Sequence, residues 1–250
     1  MTIKRLEDFV KNNLNIPNVN FSGLKLEAVE EIVEALTLVI KKYPALSNSI
    51  CSIGPSEDIN NQFNLVSNSK IGKKIEWEDF VVDTCVMSAV CLGGIPILKK
   101  NNIIDKKRFI GIAYSNLIVN KDVKRINFEA IIGSMMGIYH QHCKSIKNFV
   151  YHEIGHVLDF ILDFSGDKNL EKIVRNINGS NFNNLGKKVS SYATNSIADL
   201  IAESFAEYFV CPDSNELIKA IGEYIDQKYK IFENSTIFMI NQKFSKKKNL

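Results

Sequence analysis

At 250 residues the chain is long enough to bury a substantial core, as one large domain or two small ones. Its 45% hydrophobic and 24% charged content is that of an ordinary soluble globular protein, and a formal net charge of +3 is too small to argue for a nucleic-acid partner. Five scattered cysteines (Cys51, Cys85, Cys91, Cys143, Cys211), odd in number and without CxxC spacing, argue against a disulfide framework or a cysteine zinc site and fit a reducing compartment.

The N-terminal residues Met1 to Asp8 carry no apolar h-region, so no secretory signal is read there and a cytoplasmic location is expected. Residues 22 to 42 predict a helix: Ser22 is the candidate cap, Leu26, Val29, Ile32, Val33, Leu36, Val39 and Ile40 form one apolar stripe, and Tyr43-Pro44 stops it. From Pro44 to about Gly72 the chain is polar and rich in turn residues, either a surface excursion or a weak boundary. Residues 79 to 92 read as a buried helix. The longest uncharged stretch, Thr84 to Leu98, is 15 residues and contains Gly93-Gly94 and Pro96, too short for a membrane span.

Phe109 to Tyr114 and Asn116 to Asn120 read as two short strands, rich in Ile and Val and bounded by polar residues. Residues 147 to 163 predict a second strong helix, followed by a Gly- and Asn-rich connection. Two more helices are expected at about 196 to 210 and 214 to 231, separated by Cys211-Pro212-Asp213. The basic run Lys246-Lys247-Lys248 reads as a solvated tail. Strands in the middle and helices at both ends predict an α+β fold with a small mixed sheet and a helical C-terminal part. A single domain over 1–250 is expected, in which 1–75 could form a helical N-terminal lobe and 76–250 the catalytic core.

The chemistry concentrates in Phe149-Val150-Tyr151-His152-Glu153-Ile154-Gly155-His156-Val157-Leu158-Asp159, an HExxH segment inside an apolar helix. Residues i and i+4 stack on one helical face, so both imidazoles can reach one tetrahedral zinc, and Glu153 can lean over the activated water as general base. Two imidazoles and a carboxylate among apolar neighbours would be costly to desolvate without such a use. A metzincin would need Gly and His where Asp159 and Leu162 stand, and no histidine follows His156. An acidic third ligand is therefore required. Asp199, Glu203 and Glu207 are spaced by four and share a helical face, so one can bind metal while another supports a histidine from behind.

HEIGHVLD followed by SYATNSIADLIAESFAEYF resembles the catalytic core of anthrax lethal factor, of the Pro-Pro endopeptidases and of related phage- and mobile-element-encoded metallopeptidase-like proteins. In that gluzincin group an HExxHxxD helix is followed by a tyrosine, then by a helix whose first glutamate, seven residues after the tyrosine, is the third zinc ligand. The resemblance covers about Asn148 to Phe209, and more loosely Asn20 to Glu27 and the helix after it. It implies a zincin-like fold, His152 and His156 as ligands of one Zn2+ per chain, Glu153 as base and Asp159 behind the ligands. It places Asp199 at the third-ligand position and Glu203 at the supporting glutamate, with Tyr192 seven before Asp199 as the oxyanion donor. The family ligand is ordinarily Glu. An alternative register makes Glu203 the ligand and Glu207 the support, but leaves Ser196 where the tyrosine belongs; Asn195 or Ser196 as N-cap favours the first.

The expected activity is zinc-dependent endopeptidase cleavage of a protein or peptide substrate, with neither nucleic acid nor membrane as partner. A non-catalytic zinc-fold structural or binding protein of phage or mobile-element type, associated with a phage particle, is the alternative, and a host-directed toxin-like protease is a third reading. His140 and His142, just before the catalytic helix, could touch substrate or a second metal. The segment Asn116 to Asn120 is the candidate edge strand for pairing with an extended substrate.

Overall fold

The computed structural model describes residues 1–59, 61, 87–98, 104–164, 166–179 and 184–247. Helix α1 (Ile3–Asn13) leads through the two-residue strand β1 (Asn18–Val19) to α2 (Leu26–Lys42), then through the 3-10 turn Pro44–Asn48 to β2 (Ser52–Pro55). Strands β3 (Met87–Leu98) and β4 (Ile104–Tyr114) follow, then α3 (Val123–Met135), α4 (Ile146–Leu162), α5 (Lys168–Asn178) and the single turn α6 (Leu185–Lys188). The 3-10 turn Tyr192–Thr194 precedes α7 (Ile197–Val210), and α8 (Glu216–Lys247) is the last described element. The architecture is mixed α+β, mostly helical, with one small sheet.

That sheet has four strands in the order β1-β2-β4-β3 among the described residues. β1 pairs parallel with β2 and β2 parallel with β4, while β3 runs antiparallel to β4 and forms an edge. Ile110, Ile112 and Tyr114 alternate along β4 and are buried, and the Tyr114 hydroxyl donates to the Ser22 carbonyl at 2.7 Å, tying the sheet to the entry of α2. The core is continuous: Val29, Ile32 and Leu36 of α2 belong to the same buried cluster as Val150, Ile154 and Leu158 of α4 and Ile218, Ile221 and Ile225 of α8. No helix among the described residues is long and apolar enough to cross a membrane.

Four sequence expectations change. Of the helix expected over 79–92, residues 79–86 lie outside the described residues, and Met87 to Leu92 belong to strand β3. An apolar run without periodicity fits a buried strand as well as a buried helix, and here the pairing with β4 decides; the register shifts between Leu92 and Ile95, where Gly93-Gly94 stands. Asn116 to Asn120 is no strand. It folds into consecutive turns, with the Ile118 N–H donating to Ser115 O and the Val119 N–H to Asn116 O, and Asn120 at φ 58°. Three apolar residues between turn-forming ones are too few to hold a ladder against local side-chain competition, here the Ser115 hydroxyl accepting the Leu117 N–H. Finally, α2 starts at Leu26 with Lys25 at the cap position, because Gly23 at φ 82° turns the chain just after Ser22. The helix expected over 214–231 runs on to Lys247.

Helix α4 lies against α2 and β3, and most extensively against α7. The contact with α7 is unusually close. A Cβ built on Gly155 would fall 2.5 Å from the Ala202 Cα, so only glycine lets the two backbones approach this far. That approach brings the polar face of α7 within reach of the two histidines of α4.

Candidate metal centre

Helix α4 is anchored before it reaches the site. Ser145 occupies the N-cap, Asn148 Oδ1 accepts the Ser145 N–H at 3.2 Å, and Asn127 of α3 accepts the Ile146 N–H at 2.8 Å. Phe149, Val150, Tyr151, Ile154, Val157 and Leu158 are buried, so the helix has no freedom to rotate without exposing apolar surface. His152 and His156, one turn apart, face α7.

Helix α7 begins where its sequence says it should. The Ser196 hydroxyl oxygen accepts the Asp199 N–H at 3.0 Å, and the same hydroxyl donates to Asp199 Oδ2 at 2.8 Å. With Oδ2 held, Asp199 Oδ1 stands 3.6 Å from His156 Nε2. One turn on, Glu203 Oε1 meets His152 Nδ1 at 2.7 Å, and its Oε2 accepts the His140 backbone N–H at 2.8 Å. A further turn on, Glu207 meets His140 Nδ1 at 2.5 Å and His142 Nδ1 at 2.6 Å. The four-residue acidic spacing thus becomes a ladder of carboxylate–imidazole pairs.

His152 Nε2 and His156 Nε2 lie 3.1 Å apart, and together with an Asp199 oxygen they form a donor group lying within 4.8 Å of one another. Tetrahedral zinc with ligand bonds of about 2.0–2.1 Å sets its donors about 3.3 Å apart, so separations of 3.1 and 3.6 Å suit that ion. The chemistry of the donors fits as well. Glu203 pairs with Nδ1 of His152, so Nε2 is the ring nitrogen left facing His156, the one a metal would take in exchange for a proton.

Electrostatics point the same way. Burial works against a charged His152, yet the hydrogen bond and charge of Glu203, with Glu153 and Asp199 beside it, push its pKa up to about 9. His156 is pushed down to about 3, by burial first and by the charge on His152 second. Without a metal one proton is held on His152 and His156 stays neutral, and a cation binding both rings would have to take that proton's place. Burial opposes ionisation of Glu203 too, but the bond to His152 wins and its pKa is lowered.

Glu153 is 4% exposed and lies on α4 directly after His152. The Tyr192 ring is 5.6 Å from the His152 ring, edge to face, on the turn just before α7. Asp159 lies three residues beyond His156 on α4. It accepts the Phe164 N–H at 3.3 Å and forms no ion pair with His156 among the described residues, so it serves the end of α4. Burial raises its pKa. His140 and His142 do not reach the donor group; they belong to Glu207.

Of the residues the sequence singled out, His152, His156 and Asp199 form the donor group, Glu203 bonds His152, and the Tyr192 ring lies against His152. It did not foresee that Glu207 would hold both other histidines, although four histidines and three evenly spaced acids were the available signal. The Gly155–Ala202 contact was legible only as two small residues on two apolar helices. No family model matches the chain, and neither a curated protein nor a solved structure matches it.

Proposed function

We propose that the chain is a zinc-dependent endopeptidase with a zincin-like fold. The observation that carries this reading is the grouping of His152 Nε2, His156 Nε2 and an Asp199 oxygen within 4.8 Å of one another, with His152 3.1 Å and Asp199 3.6 Å from His156 and Glu153 on the same helix. His152, His156 and Asp199 are the ligands, and Glu203 orients His152 from behind. Zinc held there supplies Lewis acidity, polarising a carbonyl and acidifying water.

The protein's own groups do the rest. Glu153 takes a proton from the attacking water and passes it to the departing amine. The Tyr192 hydroxyl donates a hydrogen bond to the oxyanion that develops as the carbonyl carbon becomes tetrahedral. Glu203 keeps the proton of His152 on Nδ1, so the ring presents the same lone pair through the cycle. With Asn116 to Asn120 folded as turns, the edge strand β3, antiparallel to β4 and packed against α4, takes the place of the strand that pairs with an extended substrate.

Elemental analysis of the wild type should find about one zinc per chain, as a single three-residue site predicts. His156→Ala and Asp199→Ala should lose it, and Glu153→Gln should keep the metal while losing peptide cleavage. A wild type that takes up no zinc from metal-replete medium, or a Glu153→Gln variant that still cleaves, would overturn the assignment.

A further inference from the structure

The innermost carboxylate of α7 takes no part in the proposed chemistry, yet it is heavily engaged. Glu207 accepts one imidazole on each oxygen, His140 on Oε2 and His142 on Oε1. It also accepts the His142 backbone N–H at 3.2 Å and the Gln141 side-chain amide at 3.2 Å. Three consecutive loop residues are therefore wrapped around one carboxylate. Burial opposes its charge, but the donors, His140 first, hold its pKa down to about 2. This is not a second metal centre: the two Nδ1 atoms are spent as donors to separate oxygens, and His152, His156 and Asp199 are the only converging donor group among the described residues.

The other end of the same loop is tied to a different part of the molecule. The Gly137 carbonyl accepts the Ser191 N–H at 2.8 Å, and the Ile138 carbonyl accepts the Tyr192 N–H at 3.2 Å. Between the two anchors the chain is short and well bonded. The Ile138 N–H donates to Gly133 O at 2.9 Å, and the Ser134 hydroxyl donates to His140 O at 2.9 Å. Tyr192 itself stands on a three-residue 3-10 turn, which has little internal hydrogen bonding to fix its direction.

We propose that Glu207 is a positioning residue for Tyr192: by clasping His140 and His142 it fixes the 137–142 loop, whose Gly137 and Ile138 carbonyls hold the Tyr192 turn beside His152. The kinetic part rests on the endopeptidase reading. The mechanical part does not, because it concerns only how one carboxylate orders a distant turn.

Hydrogen exchange on the full chain, purified with zinc, separates the two. In Glu207→Gln, where the amide can accept on only one side, the Ser191 and Tyr192 amides should exchange about tenfold faster, while the amides of α4 around His152 and His156 keep wild-type rates. Zinc content should not change. On a cleavable peptide, kcat should fall about tenfold with KM nearly constant, and Tyr192→Phe should cost about tenfold less in the Glu207→Gln background than in the wild type. Unchanged Ser191 and Tyr192 exchange alongside a loosened 140–142 segment would overturn the proposal, since Glu207 would then hold only its own loop. Should Glu207→Gln not fold, His142→Ala removes one of the two clasped rings at a half-exposed position and should give the same pattern with a smaller acceleration. Unchanged Tyr192 exchange there overturns it equally. A wild type that cleaves no peptide while the exchange coupling holds would count against the peptidase reading and for this one.

Discussion

The two ends of α7 present the same chemical pair to opposite effect. At the N-terminal end Asp199 faces His156 with side chains 18% and 16% exposed; at the inner end Glu207 faces His140 with side chains 2% and 1% exposed. Exposure is only part of the difference. At the outer end the two Nε2 atoms face each other, and Ser196 holds only one of the Asp199 oxygens. At the inner end every nitrogen facing the carboxylate is a donor already satisfied by it. A carboxylate–imidazole pair becomes a metal site when donors are left over, and a structural clasp when none are. Glu203 stands between the two and serves both, with Oε1 on His152 and Oε2 on the His140 amide.

That middle position makes Glu203→Ala the most disruptive way to test the comparison. It strands a buried imidazole and a buried backbone donor together, and breaking such a buried pair costs about 3–5 kcal/mol. Urea denaturation should show a loss of that order, and the same protein should retain little zinc. A Glu203→Ala variant with wild-type stability would mean that the two ends of the ladder are independent. Gly155→Ala comes next. The added methyl meets the Ala202 backbone, and overpacking of that kind costs about 1–3 kcal/mol, read as a lowered Tm. Zinc affinity, measured against a competing chelator, should fall with it, because the helices that carry the ligands are pushed apart.

Ser196→Ala is smaller still. Loss of the cap should cost about 1 kcal/mol, and freeing Asp199 Oδ2 should weaken zinc binding without abolishing it. The smallest effect expected is a matter of pH. The folded pKa of Glu207 lies below its ordinary value of 4.5, at about 2, so its contribution to stability is complete above that ordinary value and is lost as the pH falls toward 2. The difference in Tm between the wild type and Glu207→Gln should therefore shrink as the pH falls from 4.5 toward 2. A gap that stays constant down to pH 3 would show that the ionised carboxylate is not what the clasp requires.

What was legible in the sequence follows the range of the interactions involved. The bounds of α4 and α7 were predicted within a residue or so, because caps, i to i+4 spacing and a stop at Cys211-Pro212 are all local. The approach of His152, His156 and Asp199 could be anticipated because residues four apart share a helical face and the N-cap fixes where Asp199 stands. The sheet was less readable. Nothing local distinguishes Met87 to Leu92 as strand from helix; β4 does, by pairing with it. In Asn116 to Asn120 the apolar residues looked like a strand, while the flanking Ser115 and Asn116 decided for turns. The Glu207 clasp spans 65 to 67 residues and joins two loop histidines to a helix interior, a match that only the folded arrangement supplies.

The near-contact of Gly155 with Ala202 has a consequence for the length of the side chain at Asp199. Helix spacing and side-chain length work here as two settings of one gauge. With the backbones pressed together at the residue next to His156, the short carboxylate spans the remaining gap, and a longer one would overshoot or buckle. The pairing of a glycine on one helix with an aspartate on the other is then a single dimension of the protein written at two positions. Drift at either should be tolerated only when the other moves with it, so Gly155→Ala and Asp199→Glu, each harmful alone, form the pair in which to look for mutual compensation.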